Sequence, residues 1–477
     1  MRTSVETPRA RLKNHEPHPE NELAEGIPPT NKLELLIGKP SGEWMADDLL
    51  DLCRDRDIRM ISLMHVGGDG WLKTLDFVPR DELHFRDVIG GGERADGSSL
   101  FANSGILVGK SDILLRPRIE SAFLDPFAEL PVMVLMCRHA DREGHPLPES
   151  PDTIIHRAYD RVQKLTGVEL YAHGEVEFYV GKRPDETDVY GANDHGYHAS
   201  SPFVFAESLR REALLTLAEM GVPIKYGHAE VGYISPGAQN ERLWEQHEIE
   251  LALQPLPQAA ESVVLTQWVL RNLAAQRGFK CSFAPVLLKG HAGNGMHFHL
   301  APFQNHDFVS PFVSEDKFSN PARWLIGGLV RFGGMLMAFG NRADTSFLRL
   351  SQAKEAPNAV TWGQFNRKAL VRLPIVAKDD SGKQIAVPTI EFRLPDGSAH
   401  PHLLLAGIAQ AMCAAYGMND VDQWIECTKE NSETRPDAPA IPTSIEEIQA
   451  AVRTERAMLE ADSVFPTELI NQLIAPF

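Results

Sequence analysis

Residues 174–180 read Gly-Glu-Val-Glu-Phe-Tyr-Val, and the alternation within them sets the fold. Successive side chains of a strand point to opposite faces. Glu175 and Glu177 therefore share one face, while Val176, Phe178 and Val180 share the other. The same spacing recurs as His297 and His299 in GMHFHLAP and as Glu391 and Arg393 in TIEFRLP. A single polar pair is ordinary on a strand washed by solvent on one side. Three pairs set among apolar residues, joined by Glu230 in GHAEVGYI and Glu241 in GAQNERL, are not. Ionised carboxylates gathered inside a domain without partners are strongly disfavoured, so this set requires cations. Glutamates with one imidazole, His297, suit the hard divalent ions Mg²⁺ or Mn²⁺ better than zinc. There is more acid than one such ion needs, which points to two. Arg349, Arg367, Arg372 and Arg393 follow in the second half of the chain. Metal ions beside several arginines are the equipment of phosphoryl transfer, where charge on phosphate oxygens must be stabilised throughout.

Outward from this strand, residues 168–180, 224–234, 296–301 and 389–394 are predicted strands, separated by longer helices. Ser150 with Thr153 opens one helix, Ser208 to Met220 forms another, and Glu250 to Arg277 forms a long one interrupted early by Pro255 and Pro257. Upstream the texture is that of a small sheet. Met45, Leu49, Leu50 and Cys53 mark a helical face, and RMISLMHV and WLKTLDFV make a hairpin about Gly67-Gly68-Asp69-Gly70. Gly90, Gly91 and Gly92 form a loop leading to ADGSSL, and LPVMVLMC is a buried strand. The chain reads as α+β. Residues 1–42 form a flexible arm with a short helix at Leu33 to Ile37, residues 43–145 a small sheet domain, and residues 146–477 the catalytic part.

The formal charge of −18 disfavours nucleic acid and anionic membrane as partners. The apolar run from Leu403 to Met418 contains Gln410 and is shorter than the roughly 20 residues of a membrane span. It reads as a buried helix in which Tyr416, the one tyrosine after Glu391, is out of reach of a modifying enzyme. The polar amino terminus lacks the apolar segment of a secretory signal, and five scattered cysteines read as reduced thiols, so the expected location is cytoplasmic. Two motifs fail. Gly105 to Ser111 (GILVGKS) has the wrong glycine spacing and too apolar an interior for a phosphate loop. His297-Phe298-His299 lacks the nearby glutamate of a cupin metal site.

The ordered series HGEVEFYV, HAEVGYISPGAQNE, AGNGMHFH, SFLRLSQAKEAPNAV, FNRKALVR and IEFRLPDGSAHP, with ADGSSL upstream, resembles the glutamine synthetases over residues 43–477. The resemblance implies a β-grasp domain followed by a catalytic domain with a curved antiparallel sheet flanked by helices. It also implies a reaction in which ATP activates the γ-carboxylate of L-glutamate and ammonium displaces the phosphate. Carried over by motif, one metal falls to Glu177, Glu230 and Glu241, and the other to Glu175, His297 and Glu391. Arg349, Arg393 and Gly293 correspond to contacts with the substrate. His299, Arg367 and Arg372 face the ATP phosphates, with Arg367 also counted as catalytic. Glu355 resembles the acid that closes the site and takes a proton from the amine, and Asp96 resembles the acid that attracts ammonium. Self-association into two stacked hexameric rings, a dodecamer, is implied as well. Ala292, Ala301, Thr389 and Lys225 depart from the family pattern near substrate and nucleotide. Two further readings share these residues: a γ-glutamyl ligase acting on a polyamine or alkylamine, and a non-catalytic relative. The retained metal-type residues and Glu355 weigh against the latter.

Overall fold

In the computed structural model, which describes residues 30–475 apart from 103–105, 107, 187, 190, 239, 315–316, 353 and 431–439, β1 (Met60–Val66) and β2 (Leu72–Phe77) form the expected antiparallel hairpin. Four more strands complete a mixed sheet: β3 (Glu93–Asp96), β4 (Asp112–Pro117), β5 (Phe123–Leu124) and β6 (Val132–Ala140). The order is β2-β1-β6-β4-β3, with β5 on β6, and β1 lies parallel to β6. The alternation of β1 and β6 divides their side chains between two cores. Ile61, Leu63, Met133, Leu135 and Cys137 pack with the helices Lys32–Ile37 and Ala46–Asp55, whereas Met64, Val132, Val134 and Met136 join the large core of the catalytic part. This explains why LPVMVLMC is continuously apolar: both faces are covered.

The second sheet has ten strands. They are β7 (Glu169–Lys182), β8 (Ile224–Ile234), β9 (Leu243–Leu251), β10 (Gln254–Pro255), β11 (Lys280–Ser282), β12 (Met296–Gln304), β13 (Asp307–Phe308) and, after a separate hairpin of β14 (Phe312–Ser314) with β15 (Lys317–Phe318), β16 (Trp362–Gln364), β17 (Val371–Leu373) and β18 (Ile390–Phe392). The main path runs β16-β17-β18-β12-β7-β9-β8 and is antiparallel except for the β16–β17 pair. One face carries Val176, Phe178, Phe298 and Phe392 into the core, where the helices Pro151–Thr166, Leu256–Gln276 and Pro401–Tyr416 pack. The fold is α+β, with a curled, mostly antiparallel sheet flanked by helices, and the small mixed sheet is compatible with the expected β-grasp.

Several sequence expectations change. Glu250 is not the start of a helix; it ends a strand, and the helix begins at Leu256. Pro255 and Pro257 stand at the start of that helix, where a missing N–H costs nothing. Met45 is 66% exposed at the helix entrance, and Leu49, Leu50, Leu52 and Cys53 supply the buried face instead. Gly90 and Gly91 close the helix Glu82–Gly91 rather than forming a loop, with Gly92 at its end at φ 88°. Tyr416 is the last residue of its helix, 45% exposed and edge-on to Trp324, so it is not hidden in the apolar run. Most of the amino-terminal arm lies outside the described residues, as does part of the Gly105 stretch.

Candidate active site

The register of the large sheet lines up its polar residues into rows. Tyr226, Glu250, Glu175 and His297 stand opposite one another across β8, β9, β7 and β12. His228, Glu248 and Glu177 form a second row, and Arg372, Glu391, His299 and His173 a third. Directly opposed like charges destabilise a sheet unless something neutral or positive lies between them. Apart from the fully buried Glu391, these rows line the floor of a cavity of about 490 Å³.

The two halves of this floor are balanced differently. Glu175 lies 2.8 Å from His297 Nδ1 and 2.9 Å from His299 Nε2. Burial opposes its ionisation, but His299 and His297 hold its carboxyl well below the usual range. Glu391 is likewise buried yet kept low by Arg393, and also accepts from Arg372 Nη1 at 2.8 Å. In the other half, His228 Nε2 lies 3.2 Å from Glu248. Burial and the neighbouring charge of Glu177 push Glu230 up to about 8, and burial with the charges of Glu175 and Glu177 drives Glu248 well above the carboxylate range. Carboxylates that hold protons this strongly for want of positive charge are the donor set a divalent cation satisfies. Potential ligand atoms of Glu175, His297 and Glu391 come within 4.8 Å of one another, as do those of His228, Glu230 and Glu248, and those of Glu175, Glu250 and His299. The residues therefore fit divalent ions.

The structure brings five of the six carried-over metal residues together and leaves one apart. Glu175, His297 and Glu391 meet as expected, and Glu177 and Glu230 line the same cavity. Glu241 does not. It is exposed on the connection between β8 and β9 and does not line the cavity. The carboxylate facing Glu230 is Glu248, because the alternation of Gln246, Glu248 and Glu250 along β9 aims all three at the cavity. The stretch LWEQHEIEL carries the same spacing that singled out β7, so Glu248 and Glu250 were readable from it. His173 and His228, two residues before Glu175 and Glu230, share that alternation, line the cavity and were readable in the same way.

Around the floor, Arg349 is buried, donates to the Leu394 carbonyl at 3.1 Å and lies 3.3 Å from His297 Nε2. Arg393 is 1% exposed; it pairs with Glu391 and donates to the carbonyls of Arg367 and Glu355. Arg367 is half exposed at the rim, 3.8 Å from the Glu355 carboxylate. Gly293 has no room for a side chain, since a Cβ would stand 2.4 Å from the Pro285 carbonyl. His299 bonds to Thr389 Oγ1 at 2.8 Å and stacks on His173, so Thr389 orients this imidazole. Lys225 reaches Glu250 Oε1 at 2.5 Å and supplies positive charge to that end of the floor. Ala292 offers only its backbone, whose carbonyl accepts from Tyr179 Oη at 2.8 Å, and Ala301 is buried in β12. Asp96 is absent from the cavity lining of its own chain. It is exposed, caps the short helix Gly97–Leu100, and is held low by hydrogen bonds from Ser99 and Ser98.

A model of the family "Glutamine synthetase, catalytic domain" matches residues 148–476. The chain belongs to the glutamine synthetase family. It is 30% identical to a glutamine synthetase of Thermus thermophilus over 76% of this chain and 78% of that protein. A glutamine synthetase of Frankia alni is 28% identical over 89% of this chain and 93% of that protein. Among solved structures, a Plasmodium falciparum glutamine synthetase superposes with a TM-score of 0.74 at 18% identity, covering 90% of this chain and 94% of that one. This member of the family is an enzyme, a glutamine synthetase or a related ligase. No helix among its described residues is long and apolar enough to cross a membrane.

Proposed function

We propose that this protein joins ammonium to the γ-carboxylate of L-glutamate at the expense of ATP, through γ-glutamyl phosphate, giving glutamine, ADP and phosphate. The observation that carries this reading is a single cavity in which the acidic groups around Glu175 and Glu248 lie beside Arg349, Arg367, Arg372 and Arg393. Bound Mg²⁺ or Mn²⁺ would neutralise phosphate charge as it develops. Glu175, His297 and Glu391 would hold one ion, and Glu177, Glu230 and Glu248 the other, with His228 alongside. Arg349, Arg393 and the Gly293 backbone bind the amino acid, while His299, Arg367 and Arg372 face the phosphates. Glu355, at the rim, accepts a proton from the attacking nitrogen. Asp96 does not line the cavity of its own chain, so in this reading it serves ammonium capture from a neighbouring subunit, in a dodecamer of two stacked hexameric rings. The cytoplasm supplies all three substrates.

The test is phosphate release from ATP with L-glutamate and a panel of amines, in Mg²⁺ or Mn²⁺. Ammonium is expected to be the best acceptor. An alkylamine or polyamine that outperforms it makes the protein a γ-glutamyl-amine ligase. No release with any amine removes the catalytic reading.

A further inference from the structure

Three segments make the cavity rim near Glu355: residues 191–200, residues 288–294 and, among the described residues, 352 with 354–357. One ion pair ties them together. Asp194 adopts a left-handed backbone, φ 51°, in a turn between β7 and β8. Its Oδ2 accepts from Lys354 Nζ at 2.8 Å, and its Oδ1 lies 3.4 Å from both the Ala292 amide and His291 Nδ1. Lys354 Nζ also donates to the Gly290 carbonyl at 2.7 Å, and the Gly290 amide donates to Gln352 Oε1 at 2.6 Å.

The fastening continues inward. The Ala292 carbonyl accepts from Tyr179, and the Gly293 carbonyl accepts from Gln246 Nε2 at 2.9 Å. That same amide nitrogen donates to Glu177 at 3.2 Å. On the far side of Lys354, the Glu355 carbonyl accepts from Arg393 Nη2 at 3.1 Å. Glu355 is thus held by its own carbonyl and by the residue before it, and both anchors lead back to the cavity floor. The Lys354 side chain is 43% exposed and that of Asp194 20%, so the pair contributes little to global stability. Its geometry has a local consequence instead: it fixes where the Glu355 segment sits.

We propose that Asp194 and Lys354 are positioning residues whose ion pair latches the Glu355 segment over the cavity and keeps water from the activated carboxylate. The proposal rests on the ligase reading above. In that reaction the amine nitrogen forms a bond to the γ-carbon, the bond from that carbon to the phosphate oxygen breaks, phosphate leaves and the nitrogen's proton passes to a carboxylate. Water attacking the same carbon gives back glutamate and phosphate, so ATP is hydrolysed with no amide formed. A loosened latch admits that water.

The experiment compares the full-length native chain with D194N, K354M, the double variant and K354R. Backbone hydrogen exchange is read at residues 289–294 and 352–358. Phosphate and amide are counted in parallel with ATP, L-glutamate and ammonium in Mg²⁺, and thermal unfolding controls for folding. Both single variants are expected to speed exchange in both segments by at least about threefold, with the double variant no faster than either. The ratio of phosphate to amide is expected to rise from about 1 to about 2 or more, and K354R to bring it back towards the native value. Unchanged exchange, or faster exchange only in the mutated loop, overturns the latch. Faster exchange with the ratio still near 1 overturns its role in excluding water. If the native chain releases no phosphate with any amine, the ligase reading fails, and the exchange arm still decides the latch.

Discussion

Glu248 and Glu241 offer two distinct explanations of the acidic cluster, and they are separable by mutation. Glu248 lies on β9, buried and facing His228 and Glu230, where only a cation or a proton relieves the mutual repulsion. Replacing it with glutamine keeps the shape and removes the charge, so Mn²⁺ binding measured by calorimetry should weaken on the order of 100-fold and turnover should collapse. Glu241→Gln, on the exposed connection before β9, should leave both within about twofold. The reverse pattern would return the metal to the residue that the sequence first indicated. At this scale Glu175, Glu177, His297 and Glu391 were legible because acid or imidazole at alternate positions inside an apolar strand has few other uses. Glu248 was less legible, because Asn240-Glu241 matches the motif of the resemblance while the alternation in LWEQHEIEL lies beyond it.

β9 also shows where the elements themselves could be read. β7 was recognisable from apolar residues at every second position, and the ends of β8 coincide with the expected ones. β9 has glutamate, glutamine and histidine at five of its nine positions, residue types that strands ordinarily avoid, and two prolines soon after it suggested an interrupted helix. Its strand state comes from pairing with β7 and β8 on both sides. That pairing leaves tight places. At Gly232 on β8 a Cβ would stand 2.0 Å from Tyr179 Oη and 2.6 Å from Gln246 Oε1. Gly232→Ala should therefore push both side chains away and destabilise the protein by about 1–3 kcal/mol in denaturant melts. Since Tyr179 and Gln246 support the backbone of Ala292 and Gly293, the glutamate KM should rise as well. A variant with native stability would show that the side chains of Tyr179 on β7 and Gln246 on β9 yield more easily than their packing implies.

The junction between the two sheets sets how the whole molecule responds to acid. Imidazoles of both parts are buried there: His65 on β1 and His139 on β6 are 2.9 Å apart, His139 also meets Ser150 Oγ at 2.8 Å, and His402 lies close by on the helix Pro401–Tyr416. Burial pushes His65 down to about 4, His139 to about 3 and His402 to about 4. In the unfolded chain each returns to its ordinary value near 6.5. Between the two values the unfolded state binds the extra proton, so stability is complete above about 6.5 and is lost as the pH falls through the folded value. The raised carboxylates of the cavity act in the opposite sense, and total stability mixes the two. Comparison with His402→Leu isolates one imidazole, because the carboxylates are common to both proteins. From pH 6.5 to 4 the native chain should lose stability relative to this variant by about 1.4 kcal/mol per pH unit, about 3 kcal/mol in all. Denaturant unfolding at half-unit pH steps measures the difference. Parallel curves for the two proteins would mean that His402 reaches solvent in the folded state and that the junction opens without global unfolding.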